Sequence, residues 1–151
     1  MIITTTRFGE VEVHERELLF LPEGLLGFET MQRYCLLEHA PGSPFRWMQA
    51  VDDPALAFVV INPFEFFTDY DFDISDVDAD LLNLDSVEDV QVFSLVTIHG
   101  TLVTTNLVGP LVVNRRHQIG KQIVLANPRY STRHELVSPP VCVKPEYCEV
   151  A

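Results

Sequence analysis

Along most of the chain apolar and polar residues alternate with a period of two, β-branched residues are frequent, and apolar residues at helical spacing are nearly absent. The pattern predicts a mainly β domain with strands at Ile2 to Thr6, Glu10 to His14, Arg33 to Glu38, Phe45 to Val51, Leu56 to Ile61, Tyr70 to Ile74, Val90 to Ile98, Thr101 to Val108, Leu111 to Asn114 and Lys121 to Leu125. Pro22-Glu23-Gly24, Pro41-Gly42-Ser43-Pro44, Asp52-Asp53-Pro54 and Asn62-Pro63 fall between them, and these residue types reverse a chain. His99-Gly100 reads as the tight turn of a hairpin. One short helix is expected from Ser75, whose hydroxyl can cap the first turn while Asp76, Asp78 and Asp80 favour the positive end of the dipole; it should end near Leu82 or Asn83. The strand spacing suits a barrel or a sandwich.

At 151 residues the chain fits one domain with a core of its own. Three prolines within Ser138 to Pro145 mark the segment 138–151 as an extended tail. The start of the sequence lacks the pattern of a signal peptide and no apolar run reaches membrane-spanning length, so a soluble cytoplasmic protein is expected, without membrane contact. Cys35, Cys142 and Cys148 form no CxxC pair and read as free thiols.

Charge changes the picture more than composition does. The net charge is −12, which opposes direct binding to nucleic acid. Residues 1–100 carry 19 acids and 4 bases, residues 101–151 carry 3 acids and 6 bases, and twelve carboxylates fall from Asp52 to Asp89. The basic residues Arg115, Arg116, His117, Lys121, Arg129 and Arg133 fit either internal pairing with the Asp-rich half or one pole of a bipolar interface.

Catalytic patterns are missing: the sequence holds no GxSxG, no HExxH, no Gly-rich phosphate loop and no paired His at ligand spacing, so neither enzyme activity nor a cofactor is expected. Asp69, Asp71, Asp73 and Asp80 fit positions one, three, five and twelve of a calcium loop, but Ile74 and Val77 stand where that loop needs Gly and an oxygen ligand, and flanking helices are not expected. Calcium binding through the Asp69 to Asp80 segment is the alternative to a protein-binding role. A zinc site from His134, Cys142 and Cys148 has no common spacing. Cys35, in an apolar strand, should be buried and inert.

The segment 62–73 stands out. As a strand, Tyr70 to Ile74 would place Tyr70, Phe72 and Ile74 on one face and Asp69, Asp71 and Asp73 on the other. That arrangement serves either as an acidic edge that discourages aggregation or as a binding face. Phe64, Phe66 and Phe67 cannot all point inward from one strand, so at least one should be partly exposed. An aromatic beside carboxylates is the composition of a protein-docking surface. We therefore take Asn62, Phe64, Phe66, Phe67, Asp69, Tyr70, Asp71 and Asp73 as the candidate partner-binding residues.

Four passages carry a resemblance: Phe20-Leu21-Pro22-Glu23-Gly24-Leu25-Leu26-Gly27-Phe28-Glu29; Pro44-Phe45-Arg46-Trp47-Met48-Gln49-Ala50-Val51-Asp52-Asp53-Pro54, continuing through Leu56 to Val60, Asn62-Pro63-Phe64 and Asp69-Tyr70; Asn106-Leu107 through Pro110 to Asn114; and Gly120 to Leu125 with Tyr130-Ser131-Thr132-Arg133-His134. In this order and spacing the chain resembles the FliW family of bacterial flagellar assembly factors, up to about residue 137. It departs from the family pattern in the short turn at His99-Gly100 and in the tail after Val137. The resemblance implies a non-enzymatic, small antiparallel β-barrel-like domain over 1–137 with one short helix. It also implies two partners in the cytoplasm, flagellin and the RNA-binding translational repressor CsrA. Flagellin that accumulates would occupy the protein; its export would release the protein to antagonise CsrA. An acidic body beside a basic RNA-binding face would repel RNA without covering it. No coiled coil or swapped arm is visible, so a monomer is expected.

Overall fold

A computed structural model describes residues 1–136. The expected tail over 138–151, with Cys142 and Cys148, lies outside the described residues.

The strands, in chain order, are β1 (Ile2–Thr5), β2 (Gly9–Glu12), β3 (Leu18–Phe20), β4 (Arg33–Glu38), β5 (Arg46–Ala50), β6 (Ala57–Ile61), β7 (Val90–His99), β8 (Leu102–Thr105), β9 (Leu111–Asn114), β10 (Ile119–Gln122) and β11 (His134–Glu135). Among the described residues seven of them close a barrel in the order β7-β6-β5-β4-β3-β10-β9, with β9 returning to β7. β8 and β11 extend the sheet beyond β7, and β1 and β2 form a separate hairpin. The neighbours are antiparallel except at the closing seam, where β10 runs parallel to β3 through the single pair Ile119 and Phe20. That seam is reinforced by the backbone bond from Phe20 N to Gln118 O, 2.9 Å, and by Gln118 Nε2 donating to Leu18 O at 2.8 Å.

Alternate residues of these strands point to the barrel axis. Leu19, Tyr34, Met48, Ala50, Val60, Phe93, Leu111 and Val113 are buried together there. The outer faces are covered too. Phe45, Trp47, Val59 and Ile61 lie under Phe66, Val96 and Leu136. The β1–β2 hairpin sets Ile3 and Val13 against Cys35. Leu82, at the end of a helix, packs with Val112 and Ile123. Burial on both faces explains why β6 and β9 read as unbroken apolar runs, Ala57-Phe58-Val59-Val60-Ile61 and Leu111-Val112-Val113.

The helix expected from Ser75 is present as α2 (Asp76–Leu81), and Ser75 Oγ accepts from Asp78 N at 3.1 Å. A second helix, α1 (Pro63–Phe66), stands where the sequence was read as a turn; Asn62 Oδ1 accepts from Phe64 N at 3.0 Å, and Pro63 holds the first helical position. Tyr70 to Ile74 is not a strand. Burial nevertheless alternates, with Tyr70, Phe72 and Ile74 inward and Asp71 and Asp73 exposed, because the segment lies extended over the barrel without a sheet partner. β3 and β11 were not anticipated, and the last expected strand, Lys121 to Leu125, lies two residues earlier, at β10. The β7–β8 hairpin forms, with His99 paired to Leu102 and Gly100 taking the positive φ of 62° in the turn.

Candidate functional site

The segment between β6 and α2 forms a strap across the outside of the barrel. Four interactions fix it. Asn62 caps α1; Tyr70, only 3% exposed, donates its hydroxyl to Leu107 O at 2.8 Å; Tyr130 Oη accepts from Asp71 N and donates to Asp71 O, both at 3.0 Å; and Arg129 meets Asp69 at 3.3 Å. Burial raises the Tyr70 phenol above its ordinary range, with Tyr130 adding to the effect, so it stays a neutral donor.

The three phenylalanines separate. Phe66 packs on Phe45 with ring centroids 6.2 Å apart, and Phe67 stands edge-on to His134 at 4.8 Å, both half-buried. Phe64 is 41% exposed; its ring lies 5.6 Å from Tyr70 and stacks with Phe72 at 6.5 Å. Of the apolar residues proposed from sequence, Phe64 is therefore the exposed one, while Tyr70 organises the strap from beneath.

Phe64, Asn62, Asp71 and Asp73 line one groove of about 520 Å³ together with Phe72, Ile74, Val87, Gln91 and Arg115. Asp69 is turned away toward Arg129. The groove has an apolar floor, an exposed aromatic and a carboxylate rim, the parts from which docking surfaces are built. Sequence reading missed Val87, 87% exposed beside the Ser86 cap, and Gln91; Arg115, read there as internal pairing or one pole of an interface, lines the same groove. A lone valine in an acidic stretch was the local signal for Val87; β6–β7 pairing, with Ile61 opposite Ser94, brings it to the strap.

Among the described residues three cations of the basic half, Arg116, Lys121 and Arg129, pair with the acidic half, whereas Arg115 and Arg133 do not. Lys121 Nζ lies 2.6 Å from Asp78 and 3.7 Å from Glu23, Arg116 lies 3.5 Å from Asp89, and Arg129 meets Asp69. The Lys121 ammonium bonds to the Asp78 carboxyl and pulls its pKa below the ordinary range. Buried amides tie the loops down. Asn114 Nδ2 donates to Leu82 O and Asn83 O at 2.8 and 3.0 Å while its Oδ1 accepts from Arg116 N and His117 N at 2.9 and 3.3 Å.

Among the described residues no three His, Cys, Asp or Glu side chains converge on a metal-sized space, the Asp69 to Asp80 set included. Cys35 is buried in β4, and burial, with Glu17 adding to it, pushes its thiol up to about 11, which disfavours a nucleophilic thiolate. No helix of the described residues is long and apolar enough to cross a membrane.

Fold and site together define a small closed β-barrel domain whose distinctive surface is an external groove walled by an aromatic strap and acidic residues. The family model described as FliW protein matches residues 2–136. The chain is 45% identical over 140 residues to a flagellar assembly factor FliW of Magnetococcus marinus, covering 91% of this chain and 85% of that one. It is 42% identical to that of Treponema pallidum, over 91% of this chain and 93% of that one, and 35% identical to that of Bacillus subtilis, over 90% and 96%. A crystal structure of the flagellar assembly factor FliW superposes with a TM-score of 0.83 at 33% identity, covering 91% of this chain and 98% of that one. The chain belongs to the FliW family.

Proposed function

We propose that this protein is a non-enzymatic, cytoplasmic flagellar assembly factor that works by holding other proteins: flagellin when flagellin is free, and the translational repressor CsrA when flagellin has been exported. Membership of the FliW family supports the assembly role. The observation that carries the binding reading is the groove itself, with Phe64 exposed in its wall and Asp71 and Asp73 on its rim. Phe64 supplies the apolar anchor, while Asp71 and Asp73 supply charge that steers a basic partner. With −12 overall, the body of the protein repels RNA from a repressor to which it is bound.

Calorimetric titration with flagellin and with CsrA, each alone and in the presence of the other, tests the proposal. Binding to both, each weakening the other, is expected and gives the coupling free energy. Binding to neither refutes it.

A further inference from the structure

The inward-facing rows of five barrel strands all leave the core at the same end, and each ends on a polar residue. Leu19 leads to Glu17, Tyr34 and Leu36 to Glu38, Ala50 and Met48 to Arg46, Phe93 to Gln91, and Val113 to Arg115. These residues border a groove of about 440 Å³ at that mouth, joined there by Arg16 and Gln118.

In a chain with 22 carboxylates and 10 Lys and Arg residues, most cations would be expected beside an acid. Arg33, Arg116, Lys121 and Arg129 are. Arg16, Arg46, Arg115 and Arg133 form no ion pair among the described residues; the first three line this one mouth, while Arg133 lies apart, in a groove with His99 and Glu135. Glu17 is occupied in part by the backbone N–H of His14, at 3.3 Å. The Arg46 guanidinium rests over the buried Phe93 ring, 5.6 Å from its centroid, and Arg115 Nη2 donates to Val90 O at 3.3 Å. The arginine heads are thus held over an apolar floor of Leu36, Leu37 and Val113.

We propose that this barrel mouth is a subsite for the carboxylate of an acidic side chain on a partner polypeptide. A planar guanidinium presents paired donors that match a carboxylate, and partial enclosure strengthens the attraction. Packed residues close the barrel below, so an occupant enters only to side-chain depth, its methylenes on the leucine floor and its charge at Arg46 and Arg115. Gln91 and Arg115 line this mouth and the Phe64 groove alike, so the two are continuous. The path of the polypeptide rests on the reading of that groove as a partner surface; the carboxylate selectivity stands on Arg16, Arg46 and Arg115 outnumbering Glu17 and Glu38 at the same mouth, Glu38 lying opposite Arg46 in the β4–β5 register without pairing to it.

The test is a titration of the full-length, ¹⁵N-labelled chain with the blocked peptide acetyl-Lys-Leu-Glu-Leu-amide and its Gln counterpart. The Glu peptide should bind at least fivefold tighter and move the Nε–Hε signals of Arg46 and Arg115. Arg46→Gln should abolish the preference, and Arg16→Gln, on the exposed rim where folding is not at stake, should reduce it. Equal affinity for the two peptides overturns the proposal. So does tighter binding of inorganic phosphate with the same Arg46 and Arg115 shifts, which would make the mouth a phosphate site. A persistent Glu preference in a protein that binds neither flagellin nor CsrA would refute the partner assignment and leave the carboxylate subsite standing.

Discussion

Two buried tyrosines in one molecule allow the hydrogen-bond contribution to be isolated by the same substitution with opposite expected signs. Tyr70 donates its hydroxyl to the buried Leu107 carbonyl at 2.8 Å, whereas the hydroxyl of Tyr34, inside the barrel and 0% exposed, has no protein partner among the described residues. Tyr70→Phe keeps the ring and leaves Leu107 O without its donor, a loss of about 1 to 2 kcal/mol. For a chain of this size that is a fall in Tm of roughly 3 to 6 °C. Tyr34→Phe removes a desolvated hydroxyl and is expected to be neutral or to stabilise by up to about 1 kcal/mol. Urea unfolding followed by tryptophan fluorescence reads both, since Trp47, the sole tryptophan, lies in β5. The alkaline limb gives a second readout. Burial pushes the Tyr34 phenol up to about 12 from 10.0, so above pH 10 the unfolded chain loses the proton that the folded chain keeps, and stability falls with rising pH. Tyr34→Phe should make that slope shallower. A Tyr34→Phe variant less stable than the parent, or a Tyr70→Phe variant unchanged within about 0.3 kcal/mol, would refute the hydrogen-bond assignment.

Phe64→Ala should lower Tm by only a few degrees, because the ring is 41% exposed and its contacts are with Tyr70 and Phe72 alone among aromatic rings, and weaken partner binding tenfold or more by calorimetry, about 1.4 kcal/mol. Asn114→Ala, which strips four bonds from a fully buried site joining the end of α2 to the turn after β9, is expected to cost about 2 to 4 kcal/mol in urea unfolding. Asp78→Asn should cost about 1 kcal/mol near neutral pH, the pair being mostly buried, with side-chain exposures of 22% and 16%. Because the folded Asp78 carboxyl sits below the ordinary 3.8, the difference from the parent should disappear as acid titration passes down through that range. Gly24→Ala should destabilise strongly by thermal melting, since φ is +65° and an added Cβ would lie 2.5 Å from Phe28 O.

Several elements were legible locally because their signals are local. β6 and β9 carry apolar, β-branched runs and β4 and β5 apolar and aromatic ones between turn residues, and Ser75 before three alternate aspartates marks α2. α1 was equally legible in principle: Asn62 followed by Pro63 is an N-cap and first-turn pair, outweighed in reading by the turn chemistry of the same dipeptide. The strap at Tyr70 to Ile74 shows the limit of period two. Alternation reports which side chains are covered, and it is the same whether the cover is a sheet face or the outside of a barrel.

The sequence by itself determined the β class, most strand positions, the pole of negative charge and a family resemblance, because each rests on residues close along the chain or on their order. The tertiary structure alone decided closure, for β3 is three residues long and meets β10 through one pair contributed from a hundred positions away. It also decided which of Phe64, Phe66 and Phe67 faces solvent, since helical rather than extended geometry turns the three rings in different directions. The gathering of Arg46 and Arg115 at one mouth follows from the barrel's inward rows ending at a common rim, where Arg16 joins them from the turn before β3, and linear spacing carries no trace of it.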